Sequence, residues 1–169
     1  MKSVLGHAMS MSAAMFLSLL SMGASALEVG ERVPDIELHG STKADRLSSY
    51  QGKVVYVDFW ASWCGPCQKS FPWMNAMQEK YQDQDFQVIG INLDAKQGDA
   101  DKFLGKMPAK FNVAFDAKAD SARLFGVKGM PTSLLIGRDG KVIYQHTGFN
   151  EAGRVEIEKM IEVALKGAQ

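Results

Sequence analysis

An α/β domain with a central mixed sheet flanked by helices is the fold class this sequence predicts, and three observations carry it. Two apolar runs, Lys53 to Phe59 and Phe86 to Leu93, are rich in β-branched and aromatic residues. The stretch between them has helical length, and strand–helix–strand order implies a right-handed crossover and a parallel pair. Near the C-terminus, Thr132 to Ile136 and Lys141 to Thr147 flank Arg138-Asp139-Gly140, the signal of an antiparallel hairpin.

Each element has a local reason. Lys53 to Phe59 follows Gly52 and, past Lys53, is charged only at Asp58, which suits a strand covered on both faces. The first helix is expected from Pro66 to about Tyr81, with Pro72 inside it as the site of a kink. A short helix fits Asp99 to Met107, a short strand Asn112 to Phe115, and a further helical turn or two Ala119 to Phe125. Glu151 to Lys166 closes the chain as an amphipathic helix with Val155, Ile157, Ile161, Val163 and Leu165 on its apolar side. The chain has neither internal repeats nor low-complexity segments.

The two cysteines of the chain, Cys64 and Cys67, stand three residues apart in Trp63-Cys64-Gly65-Pro66-Cys67. At the start of a helix, i and i+3 share a face, so the sulfurs can meet. Unpaired N–H groups and the partial positive charge of the helix terminus favour thiolate at Cys64. A free cysteine titrates near about 8.5, and such a site lowers that value. Pro66 falls in the first turn, where its missing donor costs nothing, and Gly65 leaves room beside the sulfur. Two plainer readings stand beside the redox dithiol. A structural disulfide gains little from closing so short a loop. Zinc usually takes four ligands, and His39 and His146 are the remaining candidates beyond the first residues.

Residues 1–26 read as an export signal: Lys2, an apolar stretch from about Ala13 to Met22, and the A-x-A pattern Ala24-Ser25-Ala26. An uncleaved membrane anchor is the alternative, but the stretch is short and interrupted by Ser18 and Ser21. Cleavage after Ala26 leaves residues 27–169 as one domain of 143 residues, enough to build a real core. Removing Lys2 leaves 18 basic against 19 acidic residues, which argues against nucleic acid as a partner. Met1, Met9, Met11, Met15 and Met22, half of the ten methionines, leave with the signal, so a methionine-based metal carrier is not expected. In an exported compartment disulfides form and persist, which is where a lone C-x-x-C meets both substrate disulfides and oxidants.

Val57-Asp58-Phe59-Trp60-Ala61-Ser62-Trp63-Cys64-Gly65-Pro66-Cys67, Pro72, and Gly126-Val127-Lys128-Gly129-Met130-Pro131-Thr132 resemble thioredoxin in order and spacing. The stretches Val33 to Leu38 and Leu47 to Lys53, and the insert between Leu93 and Asn112, are similar to the exported TlpA/ResA group of that fold. The resemblance implies a thioredoxin-like fold with an N-terminal extension and a central insert. It also implies a thiol:disulfide oxidoreductase with no cofactor beyond the Cys64–Cys67 couple and no bound metal. Cys64 becomes the attacking thiolate and Cys67 the resolving thiol. Asp58 becomes a buried carboxyl that takes the Cys67 proton, its pKa raised by desolvation. Trp63, Gly65, Pro66, Met130 and Pro131 become the substrate-contacting residues, with Met130-Pro131 a cis-proline loop facing the dithiol. Trp60 is expected either beside Trp63 on that surface or in the core. Trp73, His39 and His146 are expected as surface or packing residues.

Implied partners are client proteins with disulfides and a membrane electron donor, the protein acting as a periplasmic monomer. The Gly-Pro dipeptide matches reducing members of the fold. Two departures stand out. The lysine that accompanies the buried carboxyl in thioredoxin is replaced by Gly90. Members devoted to cytochrome c maturation commonly carry acidic residues where this chain has Ser70 and Thr132. Two other classes remain in view. A thiol peroxidase resembling peroxiredoxins would need a proline and a threonine where the chain has Val57 and Ala61. A chaperone or metal-binding module would use the fold as a scaffold alone.

Overall fold

The structure is a computed structural model and describes residues 27–167, so the expected export signal lies outside the described residues. Five strands form one sheet in the order β3-β2-β1-β4-β5: β1 Val54–Trp60, β2 Phe86–Asn92, β3 Asn112–Phe115, β4 Thr132–Ile136 and β5 Val142–Thr147. β1 pairs in parallel with β2, and β2 with β3. β4 pairs antiparallel with both β1 and β5. The expected mixed sheet is therefore present. The helices are α1 Gly65–Tyr81, α2 Gln97–Lys106, α3 Asp120–Leu124 and α4 Glu151–Lys166.

Side chains alternate across a strand, and at β1 this sorts the core into two halves. Val54, Tyr56 and Trp60 point towards Cys67, Phe71 and Met74 of α1 and Ile157 and Ile161 of α4. Val55, Val57 and Phe59 point the other way, onto Ile36, Leu38, Leu47 and Tyr50 of the N-terminal segment and Ala122 and Phe125 around α3. Every residue of β1 is buried, because neither face of the central strand meets water. Asp58 belongs to the half that faces α1.

The N-terminal segment is tied on by an isolated bridge from Arg32 to Lys141; within it Glu37 bridges Arg46, and Leu47–Tyr50 forms a turn of 3₁₀ helix. Boundaries differ slightly from the sequence pattern. β1 begins at Val54 and runs on through Trp60, and α2 begins at Gln97, ahead of Asp99. α1 continues through Pro72, which deprives the Gln68 carbonyl of its helical donor. Where β5 meets α4, the Asn150 side chain caps the helix by accepting from the Gly153 N–H at 2.9 Å. A Cβ at Gly153 would fall 2.6 Å from His146 Nε2, so any larger residue there has to displace that ring.

Candidate active site

Cys64 is the residue that caps α1. Its backbone is extended (φ −81°, ψ 104°), and its Sγ accepts the Cys67 N–H at 3.3 Å. The two cysteines form a disulfide with their Cα atoms 5.2 Å apart. The sulfur of Cys64 thus sits against a free helical N–H, where negative charge is favoured. Cys67 is fully buried and Cys64 is 5% exposed. Gly65 and Pro66 lie open on the surface, and Trp63 is 70% exposed, a large apolar side chain left in water beside the disulfide. Lys69 also points outward.

The loop before Cys64 is held from below by a side chain the sequence reading did not single out. Asp94, just past β2, accepts from the Ser62 N–H at 2.8 Å, the Ser62 hydroxyl at 2.9 Å and the Asn92 side-chain amide at 2.8 Å. Gln68 of α1 donates to the Ser62 carbonyl at 2.8 Å, closing the loop onto the helix. The available signal was Asn92-Leu93-Asp94, a polar pair at the end of an otherwise apolar strand. It was missed because polar residues at strand ends are commonplace.

Asp58 is buried and pairs in register with Gly90 on one side and Ser133 on the other. Its Oδ1 accepts the Ser133 hydroxyl at 2.8 Å, and Ser133 in turn accepts the Tyr56 hydroxyl at 2.7 Å. Its Oδ2 is buried without a hydrogen-bond partner. Loss of hydration disfavours the ionised form and pushes the carboxyl up to about 7, against a smaller opposing pull from the Ser133 hydrogen bond. Gly90 explains the missing lysine. A Cβ there would meet Phe111 at 2.9 Å and the Trp60 indole nitrogen at 3.0 Å, so these rings fill the space a long side chain would need.

Trp60 goes to the core, not the contact surface: it is fully buried between Phe71 and Phe103, with ring centroids at 4.6 and 5.3 Å. Trp73 packs edge-on to Tyr56, His39 is exposed, and His146 is half-buried against α4. The Met130–Pro131 bond is cis. Pro131 is buried, and Met130, half-buried, packs against the core half that contains both cysteines. Ser70 and Thr132 are also buried, donating to the Cys67 carbonyl at 2.9 Å and the Gly129 carbonyl at 2.7 Å. Neither position offers an acidic group to a client.

The Redoxin family profile matches residues 28–161, a span that takes in the disulfide, Asp58 and the cis-proline. The chain belongs to the Redoxin family. Its relatives include the thiol-disulfide oxidoreductase ResA of Bacillus thuringiensis subsp. konkukian, 32% identical over 139 residues, spanning 80% of this chain and 78% of the relative. A Chlorobium tepidum crystal structure, a candidate thiol:disulfide interchange protein DsbE, is 57% identical with a TM-score of 0.80, covering 83% of this chain and 99% of that one. A Bacteroides thetaiotaomicron solution structure, a candidate protein disulfide isomerase, is 30% identical with a TM-score of 0.75, covering 83% and 91%. This Redoxin is a homologue of thiol–disulfide oxidoreductases of the ResA type and has the thioredoxin-like fold. Val57 and Ala61 stand where a thiol peroxidase resembling peroxiredoxins would carry proline and threonine. Both are fully buried apolar residues and bring no polar group to Cys64.

Proposed function

We propose that this Redoxin is an exported protein-disulfide reductase working through Cys64 and Cys67. The observation that carries the reading is the placement of Cys64 Sγ as the cap of α1, on the Cys67 N–H, beside the exposed Trp63. In the reduced protein the same N–H faces a thiolate. That thiolate attacks a client disulfide, forming a mixed disulfide and releasing one client thiolate. Cys67 then attacks Cys64, its proton passing to Asp58. The Cys64–Cys67 bond forms, the bond to the client breaks, and the client leaves with two electrons. Asp58 suits this step because a carboxyl near neutral pKa can both accept and return a proton. Trp63, Gly65, Pro66 and Met130 supply the contact surface, and Pro131 shapes its edge.

The direction follows from how little stabilises the thiolate. The motif holds no histidine and Lys69 points to solvent, which leaves the helix terminus and its N–H groups. A modestly stabilised thiolate gives a reducing couple. Export rests on Lys2, the apolar stretch and the A-x-A site, and is supported by a family match that begins only at residue 28. No helix among the described residues is long and apolar enough to cross a membrane. In the proposed reading the mature protein is residues 27–169, a periplasmic monomer re-reduced by a membrane electron donor.

Three measurements test the reading. Mass spectrometry of the native protein is expected to begin at Leu27, and a stable cytoplasmic product retaining Met1 refutes export. Cys67→Ser is expected to accumulate mixed disulfides with clients, whereas Cys64→Ser reduces nothing and traps nothing. The opposite pattern reverses the two roles. In glutathione redox buffers the wild-type disulfide is expected to resist a mildly reducing mixture, each ~30 mV shifting the equilibrium about tenfold. Ready reduction there makes an oxidase or isomerase the better reading.

A further inference from the structure

The hydrogen bonds around Asp58 run in one direction. The Tyr56 hydroxyl donates to Ser133 at 2.7 Å, and the Ser133 hydroxyl donates to Asp58 Oδ1 at 2.8 Å. A serine hydroxyl has one proton to give. That proton goes to Oδ1 while the oxygen accepts from Tyr56, so Ser133 has no second proton to offer Oδ2. Oδ2 is left buried and unpartnered on the half of the core that holds Cys67. All three residues are nearly inaccessible, Tyr56 and Asp58 at 1% exposure and Ser133 at 3%, so water does not compete for these bonds.

We propose that Tyr56 and Ser133 are positioning residues that commit Oδ1 of Asp58 to hydrogen bonding, making Oδ2 the oxygen that takes and returns the proton. The inference rests on the reductase reading only for the identity of the proton's source, Cys67. The relay is itself a property of the sheet. β1 and β4 place Asp58 opposite Ser133, and Tyr56 lies two residues earlier on the same face of β1. The neutral acid carries its proton on Oδ2. The ionised form keeps the Ser133 bond, which lowers the cost of holding the charge while the proton is away.

The titratable groups around this relay are few. β5 brings His146, paired in register with Ser133, and Tyr144, paired with Leu135. α4 brings Glu156, which hydrogen-bonds Tyr144, and α1 brings the two cysteines. β2 contributes Gly90 opposite Asp58 and no charge. The nearest source of interference is thus His146, and His146→Gln serves as a control.

The test is the titration of the Asp58 carboxyl carbon by NMR in the intact oxidised protein, which needs no activity. Ser133→Ala is expected to raise the midpoint by about one pH unit, roughly a tenfold loss of ionised fraction. Ser133→Thr, which keeps the hydroxyl, is expected to restore the wild-type midpoint. Tyr56→Phe should give a smaller rise, and no further rise when added to Ser133→Ala, because Tyr56 acts through Ser133. The pH profile of mixed-disulfide resolution should move with the midpoint. An unchanged midpoint in Ser133→Ala overturns the proposal, as does a threonine variant that behaves like the alanine one. If Ser133→Ala does not fold, an unchanged midpoint in Tyr56→Phe is decisive against the relay. A wild-type protein that reduces no disulfide refutes the reductase reading alone, since the titration still reports on the relay.

Discussion

Two acidic side chains, Asp94 and Asp58, are buried in this domain, and their surroundings are opposites. Asp94, 4% exposed, accepts hydrogen bonds from Ser62 twice and from Asn92 once. Asp58, 1% exposed, accepts one bond from Ser133 and has an oxygen with no partner. The count of donors separates their work. A carboxylate whose lone pairs are filled by fixed donors is a structural clamp, and Asp94 clamps the loop that leads into Cys64. A carboxyl short of donors gains by holding a proton of its own, which suits the proton-accepting role proposed for Asp58. Burial alone does not distinguish these roles; hydrogen-bond supply does.

The comparison can be broken at either carboxyl. The largest expected effect is at Asp94. Asp94→Ala strips three donors of their acceptor, and leaving buried polar groups unmatched should destabilise the fold by about 3–5 kcal/mol, read from urea denaturation midpoints. A loss under about 1 kcal/mol would mean that water takes over and that the clamp is dispensable.

At Asp58 the sign reverses. Burial pushes its folded pKa up to about 7, above the ordinary carboxyl value of 3.8. Below about pH 4 both folded and unfolded chains hold the proton and the group costs little. Between about 4 and 7 the unfolded chain ionises first, so stability falls with rising pH, and the penalty is complete above 7. Asp58→Asn removes this titration. Its stability relative to wild type should therefore grow by about 3 kcal/mol between pH 5 and pH 8. A pH-independent difference between the two proteins would show that burial does not raise the Asp58 pKa. The same variant should slow resolution of the mixed disulfide by on the order of 10²-fold or less near neutral pH. An unchanged rate from pH 6 to pH 9 removes Asp58 from the proton transfer.

The smallest effect sharpens the contrast. Ser62→Ala removes one of the three donors to Asp94 while its backbone N–H remains, and should cost about 1 kcal/mol. The resolution rate should hold its wild-type pH profile, because the loss falls on the clamp and not on the proton acceptor. A shifted profile in stopped-flow measurements would show that the two carboxyls are coupled through the loop.

Much of the site was legible in sequence because its parts lie close together along the chain. Cys64, Gly65, Pro66 and Cys67 fall within one turn, so the cap and the paired sulfurs follow from helix geometry. The continuous apolar character of Lys53 to Phe59 placed Asp58 inside before any contact was known. The strand pattern likewise yielded the mixed sheet and the antiparallel C-terminal hairpin. Trp60 could not be resolved this way. It lies one residue past Phe59 and three before Trp63, and only the packing of Phe71 and Phe103 sends one indole inward while the other stays in water.

The sequence by itself determined where the Cys64–Cys67 disulfide lies, since pairing at i and i+3 depends only on residues within one helical turn. Only the tertiary structure decided what surrounds the carboxyls. Ser133 reaches Asp58 from 75 residues away, through the antiparallel register of β1 and β4. Asp94 reaches Ser62 across 32 residues from the end of β2. Gly90 must be glycine because two rings, one from β1 and one from the segment before β3, converge on it. Such contacts are set by strand order and register, which local propensity does not encode, because a strand pairs equally well in sequence terms with any neighbour of matching length and polarity.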